Sequence, residues 1–418
     1  MRARGPEVYP LADTISEINA AVYAVALGRL KGIGRRTAVA AMAAYPASER
    51  LLEASEQSIE ALLGRRAASA LTSAIELEWL TAVRRAAEVV DEHERRGFGV
   101  VGYNSPEYPP LLRLSPDPPA VLFVRGQPSA MTDSWSVAVV GTRNPTVRGA
   151  ETARRLARRF AEEGAIVVSG LAKGIDTAAH QGALEAGRTV AVLGTAIDKV
   201  YPAENRSLAD AITEHGALVS EYPIGATSRG DQFVDRDRIQ AGLAVAVVPV
   251  QTGRSGGTQH TIRFAQAASR EILVPQLPDS ERFAPENAGI VDLIERKAAV
   301  VISADDLPEV VAFLVRSHAE LVAISSGPAA AKPEDGQSKA TPKKRKRKAT
   351  IEADTLNWLL PDEARLAEGE SAPPPKATAA SVAEVVAELD AVLDRLGPSF
   401  DLTAFDEITR TWRRRRFG

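Results

Sequence analysis

The sequence contains no cysteine, which excludes disulfides, thiolate metal sites and cysteine nucleophiles. That absence fits a reducing compartment, and a cytoplasmic location is expected. Histidine is scarce as well. His93, His180, His215, His260 and His318 stand far apart, and no HxH or HxxxH spacing offers a zinc or iron site. Neither a metal nor a cofactor is expected. Long apolar runs are missing: the longest, about Gly242–Val250, is well short of the ~20 residues that span a bilayer. The opening MRARGPEVYPLADT lacks a signal-peptide apolar core, so no membrane association is expected. Charge of one sign is not in excess either, because 51 Lys and Arg stand against 54 Asp and Glu for a net −3. Any site for a polyanion must then be a local concentration of positive charge. What is present is 45% hydrophobic residues over 418 positions, enough for real cores and, at ~150 residues each, for about three domains.

Residues 1–100 are rich in Ala, Leu, Glu and Arg with apolar residues three and four apart, and are expected to form a helical domain. Within it LGRLKGIGRRTAVAAM breaks one helix at Gly32 and Gly34 and starts another between basic residues. This is a helix-hairpin-helix (SAM-like) pattern, open to two uses, a weak DNA contact or a protein-docking module. Residues 101–134 read as a connector packed on the next domain, and their first part, 101–126, carries prolines 106, 109, 110, 116, 118 and 119, which favour extended backbone. From 135 to 325 the chain alternates strand and helix. Apolar, β-rich runs lie at Ser136–Val140, Ile166–Ser169, Thr189–Leu193, Ala217–Ser220, Ala244–Pro249 and Glu271–Val274. Helical patterns lie at Ala150–Glu163, Thr177–Ala186, Asn205–His215 and Thr258–Ser269. Uninterrupted apolar strands are expected where both sheet faces are covered, so the fold class is α/β, a doubly wound Rossmann-like sheet. Residues 277–325 read as one more peripheral α/β piece. Residues 326–380 read as a disordered basic and Pro-rich linker. Residues 381–418 read as a short helical C-terminal segment, opened by a Ser381/Glu384 capping box.

Open α/β sheets bind ligands at the carboxyl ends of their strands, so the residues after each strand are the candidates. After the first, Gly141 allows a sharp turn, Thr142 offers a hydroxyl and an N–H, and Arg143 can fork onto a phosphate in front of a helix N-terminus. The bland alternative is a strand-to-helix turn followed by a surface arginine. After the second, Ser169, Gly170 and Gly174 allow close backbone approach and Lys173 adds a point charge. Asp176 is expected to cap a helix starting at Thr177, and His180 to be structural or solvated rather than catalytic. After the third, Lys199 supplies charge and Asn205 is a candidate helix N-cap. Between the fourth and fifth, Arg229, Arg236 and Arg238 add cations, and Phe233 or Tyr222 could stack on a base. Against this, Asp235 and Asp237 could neutralise those arginines. After the fifth, Ser255, Gly256 and Gly257 expose backbone N–H groups at a helix start. No Walker motif, nucleophile elbow or acidic metal pair accompanies these loops, which favours binding over catalysis. The runs Lys343–Lys348 and Arg413–Arg416 could attract polyanions or only solubilise, and Arg154, Arg155, Arg158 and Arg159 read as a solvated helix face.

Several ordered stretches carry a family resemblance: VVGTRNPTVRGAETARRLARRFAEEGAIVVSGLAKGIDTAAHQGALEAG, TVAVLGTAIDKVYPAENRSLADAI, LVSEYPIG and FVDRDRIQAGLAVAVV. Together they make the chain resemble the DNA-processing protein A family (DprA/Smf) over about residues 20–280. The resemblance implies a Rossmann-type domain that binds single-stranded DNA, homodimerises and loads a RecA-type recombinase during natural transformation, without catalytic turnover. It places DNA-binding roles on Arg143, Lys173, Arg236 and Arg238. Two departures stand out. Asp237 replaces the family's Asn, and SGGTQHT at Ser255–Thr261 replaces its usual SGSLxTA. The family's C-terminal winged helix is not recognisable, which leaves a phage-defence role or a nucleotide-signal sensor as alternatives. A LOG-like nucleotide phosphoribohydrolase is a third, suggested by SGGT at Ser255–Thr258 but lacking its Glu, since Thr261 stands there.

Overall fold

The computed structural model describes residues 11–326, with side chains described from Ala20 to Ser325. The linker and C-terminal segment expected beyond residue 326, with their basic runs, lie outside the described residues.

Five helices open the chain: α1 (Leu11–Arg29), α2 (Arg35–Ala44), α3 (Ser48–Glu53), α4 (Glu56–Leu63) and α5 (Arg65–Arg95). Gly32 takes a left-handed φ of +78° in the α1–α2 turn, which a side chain would strain, and Ile33 beside it is buried. Next come β1 (Phe98–Gly102), α6 (Pro110–Arg113) and β2 (Val121–Gly126). The strand–helix alternation follows as β3 (Ser136–Val140), α7 (Val147–Glu162), β4 (Ile166–Ser169), α8 (Ile175–Leu184), β5 (Thr189–Leu193), α9 (Arg206–His215), β6 (Ala217–Ser220), α10 (Gln232–Leu243), β7 (Ala246–Pro249), α11 (Thr258–Ala267) and β8 (Glu271–Pro275). The peripheral piece is α12 (Ala288–Glu295), β9 (Val300–Ile302) and α13 (Leu307–Ser326).

All nine strands form one sheet in the order β1-β2-β6-β5-β4-β3-β7-β8-β9. The seven from β6 to β9 run parallel, while β1 and β2 pair antiparallel at the β6 edge. The chain winds outward from β3 toward β6, then returns to pair β7 on the other side of β3. The strand order therefore reverses between β3 and β7, where a crevice opens at the carboxyl ends of a doubly wound sheet. Alternate residues of β3 enter different cores. Val137 and Val139 pack with Ala153, Ala157 and Phe160 of α7 and with α8, whereas Ala138 and Val140 pack with Ile239 of α10 and Ile262 of α11. This period of two explains why the strands are apolar throughout.

The stretch expected as a connector is part of the sheet. Its prolines fall between β1 and β2 or, for Pro128, after β2, and none lies inside a strand, so they leave the ladder intact. The helical block is also less separate than its composition suggests. His93 of α5 stacks on Phe123 of β2 at 4.5 Å and accepts the Ile224 N–H at 3.0 Å through Nε2. Its Nδ1 faces the Val89 carbonyl at 2.6 Å, which fixes the Nδ1-protonated tautomer, and burial holds its pKa below the ordinary value. Arg35 of α2 reaches Asp117 before β2 and, at 3.6 Å, Glu221 after β6.

Candidate nucleic-acid interface

A cavity of about 540 Å³ lies at the crossover between β3 and β7, within the range of small-ligand sites. Its lining includes Gly141, Thr142 and Arg143 after β3, Ser255, Gly256 and Gly257 before α11, and Arg236, Asp237 and Gln240 of α10. A smaller annex of about 50 Å³ adjoins it, lined by Gly170, Lys173, Tyr201, Phe233 and again Arg143 and Arg236.

The loops that shape this mouth are laced together by backbone bonds. Thr142 N donates to Gln251 O at 2.8 Å, and Ile175 N donates to Thr142 O at 3.2 Å, joining the loops after β3, β4 and β7. Gln251, fully buried, accepts from Thr146 N at 2.9 Å, while Thr146 Oγ1 caps α7 by accepting from Gly149 N at 3.0 Å. Gly141 is required by close packing, since a Cβ there would stand 2.5 Å from Ile175 Cγ1. Gln251→Ala should orphan the Thr146 N–H and loosen the mouth, costing about 1–2 kcal/mol in a denaturant melt. A change below the error of the melt would show that the Gln251 bonds do not hold the loops.

The expected cations take different places. Arg143 is exposed at the cavity mouth and has no carboxylate partner among the described residues. Lys173 is exposed beside the annex but pairs with Glu204. Arg236 lines both spaces although only 5% of its side chain is exposed. Its Nη1 donates to Gly170 O at 2.5 Å and Val192 O at 2.6 Å, and its Nε lies 3.1 Å from Asp237 Oδ1. Arg238 is not brought to the mouth. Its side chain is 4% exposed and bonded to Glu221 at 2.5 Å, with Asp117 at 3.5 Å. A helix turns by about 100° per residue, so positions 236 and 238 cannot both face the crevice. Lys199 is exposed but lines neither space, and Arg229 pairs with Asp231 at 2.9 Å. Ser169 is buried and spends its hydroxyl on Val139 O at 2.6 Å. Gly170, Ser255 and Gly256 stand where the strand-end rule places them.

Other side chains have different jobs from those their positions suggested. Asp176 does not cap a helix start at Thr177, because α8 begins at Ile175. Its buried carboxylate instead accepts from Gly170 N at 3.2 Å and Ala172 N at 3.4 Å, holding the β4 loop. Burial raises its pKa against the lowering effect of Arg236. His180 is structural, as expected. Its Nδ1 meets Thr189 Oγ1 at 2.7 Å, and burial pushes its pKa down to about 3, so it stays neutral. Asn205 makes no cap bond and donates to Leu171 O at 2.9 Å. Tyr222 is buried and cannot stack on a ligand. Phe233 is half-buried on the lining and lies 5.4 Å from exposed Tyr201. Gln240, on the cavity wall, is a residue that sequence reasoning passed over, and Asp237, expected to neutralise a neighbouring arginine, stands beside it on that wall. The four α7 arginines are exposed and paired with Glu151, Glu162 or Glu185. Among the described residues no His, Asp and Glu cluster suits a metal, and no helix is long and apolar enough to cross a membrane.

A doubly wound sheet with a crevice at its strand crossover, lined by Arg143 and Arg236, defines a Rossmann-type protein with a candidate anion site. A family model for DNA recombination-mediator protein A matches residues 99–312, just over half the chain, and the chain belongs to that family. It is 35% identical over 225 residues to Protein Smf of Synechocystis, a match spanning 53% of this chain and 56% of that protein. It is 34% identical over 222 residues to the DNA processing protein DprA of Bacillus subtilis, covering 53% of this chain and 74% of the relative. The crystal structure of DprA from Streptococcus pneumoniae superimposes with a TM-score of 0.56 at 26% identity, covering 70% of this chain and 97% of that one.

Proposed function

We propose that this chain binds single-stranded DNA at the β3/β7 crevice. One observation carries the reading: unpaired Arg143, the exposed Ser255–Gly257 backbone and the Arg236 guanidinium meet at one cavity in front of the α11 N-terminus. Anionic oxygens are stabilised by such a set, and Phe233 offers a ring face that stacks on any base. The wider role we infer is that of a homodimer that protects single strands and passes them to a RecA-type recombinase in recombination or natural transformation. That role is supported by family membership. A cytoplasmic setting goes with it. Thr261, and no acid, faces the cavity from the first turn of α11, so binding without turnover is the reading we adopt.

The test is a salt titration of a mixed-sequence single strand against a duplex and mononucleotides. Single strands should bind with the steepest salt dependence, because neutralised phosphates release counterions. Arg143→Ala should weaken binding about tenfold and lower the slope by about one phosphate contact. If Arg143→Ala and Lys173→Ala both leave affinity and slope unchanged, the crevice is not the site. The cavity is also large enough for a lone nucleotide. Binding of a mononucleotide without competition from single strands would replace this reading with a nucleotide sensor.

A further inference from the structure

The wall of the cavity carries a buried carboxylate that the grip on phosphates does not use. Asp237 lines the cavity, and its side chain is 9% exposed. Only one of its oxygens is engaged. Oδ1 lies 3.1 Å from Arg236 Nε. It also accepts from Gln240 Nε2 at 3.2 Å when that amide is oriented so that its oxygen takes the Gly170 N–H at 2.7 Å. Oδ2 has no hydrogen-bond partner among the described residues. That oxygen is open to the cavity, where it can accept from a donor that enters. On phosphate chemistry alone the residue is a misfit, since a carboxylate repels the backbone of the strand. It fits the edge of a base.

We propose that the cavity receives one nucleobase of the bound strand and that Asp237 selects for an exocyclic amino group on it, admitting cytosine, adenine or guanine ahead of thymine. The inference rests on the single-strand reading above and adds a preference to it. Cytosine N4, adenine N6 and guanine N2 are amino donors from which Oδ2 can accept, whereas thymine has no amino group, presents the carbonyls O4 and O2 at those positions and offers only the N3–H between them. Phe233 flanks the same space and supplies the ring face.

The preference depends on pH. Burial pushes the Asp237 carboxyl up to about 7, with Arg236 opposing, Asp176 adding to the rise, and Arg143 lowering it from across the cavity. His180 behind Arg236 is neutral, and α11 presents only Thr258 and Thr261. Above about pH 7 the carboxylate accepts an amino donor and repels O4. Below it the protonated acid becomes a donor that O4 can accept, and thymine is tolerated.

The experiment measures the full chain against a thymidine homopolymer and an alternating thymidine–cytidine strand of equal length, at constant ionic strength and at pH about 6 and about 8. At the higher pH the cytidine-containing strand should bind roughly tenfold tighter, and at the lower pH the ratio should fall toward one. Asp237→Asn, nearly isosteric, should make the ratio independent of pH. A ratio that stays constant in the native chain overturns the proposal, and so does a pH response that persists unchanged in Asp237→Asn. Failure of both strands to bind overturns the single-strand reading instead.

Discussion

Replacing Glu221 by alanine should cost about 3–5 kcal/mol and lower the thermal midpoint by on the order of 10 °C. Glu221 follows β6 and sits at the centre of an ion network assembled from three parts of the chain. Arg238 of α10 bonds to it at 2.5 Å, Arg35 of α2 approaches at 3.6 Å, and Asp117 ahead of β2 pairs with both arginines. Removing Glu221 leaves the Arg238 guanidinium, 4% exposed, with Asp117 at 3.5 Å as its one ion-pair contact among the described residues. A buried charge that loses its partner cannot be rescued by water, and the penalty exceeds the net worth of the pair. The loss should show first in the helical block, as faster amide exchange across α2 and α5, because Arg35 is one of the ties between α2 and the sheet edge. Arg36→Ala provides the contrast. That side chain is 84% exposed and 3.6 Å from Asp117, so its removal should change stability by less than about 0.5 kcal/mol. Equal effects from the two substitutions would show that burial is not what makes the network matter.

The same network explains where the sequence could and could not be read. Strands β3 to β6 were legible to the residue because continuous Val, Ile and Ala runs have no other use in a chain of this composition. The crevice was legible through the rule that loops after such strands face a ligand: Gly141, Thr142, Arg143, Ser255 and Gly256 all line it. Helix α10 was not legible. Its sequence QFVDRDRIQAGL looks like a solvated, charged loop, yet nine of its twelve residues are buried, including Arg236, Asp237, Arg238 and Gln240. Charge signals exposure only when nothing is available to neutralise it. Here the partners are Asp237, which was expected to neutralise an arginine and pairs with Arg236, together with Glu221, Asp117 and the carbonyls of Gly170 and Val192, which are distant in sequence. Arg236 and Arg238 therefore look equivalent in sequence, while the helix turns one into the cavity wall and the other into the interior. β1 and β2 escaped notice for a related reason. Their pairing, Phe98 with Arg125 through Gly102 with Val121, spans a Pro-rich stretch whose local preferences say nothing about a ladder.

Arg236→Ala is expected to be about as damaging as the loss of Glu221, but with a dependence on pH that Glu221→Ala need not share. The Arg236 guanidinium closes off two strand-end carbonyls, Gly170 O and Val192 O, and is the cation nearest two buried acids, Asp176 and Asp237. Without it the carbonyls lose their donor and both carboxyls rise further above their ordinary values. A group with a raised folded-state pKa holds a proton that the unfolded chain releases above about pH 4, so stability falls as pH climbs from there toward the folded value. The deficit of Arg236→Ala should accordingly be about 3–5 kcal/mol near pH 8 and markedly smaller near pH 5. Adding Asp237→Asn removes one of the two acids and should restore on the order of 1–2 kcal/mol at the higher pH and almost nothing at the lower. Denaturant melts of the four proteins of this cycle at the two pH values measure the coupling directly. A deficit equal at both pH values, with no recovery from Asp237→Asn, would mean that Arg236 acts only as a donor to the two carbonyls. The carboxylate beside it would then lack the electrostatic link by which Arg236 holds down a pKa that burial raises.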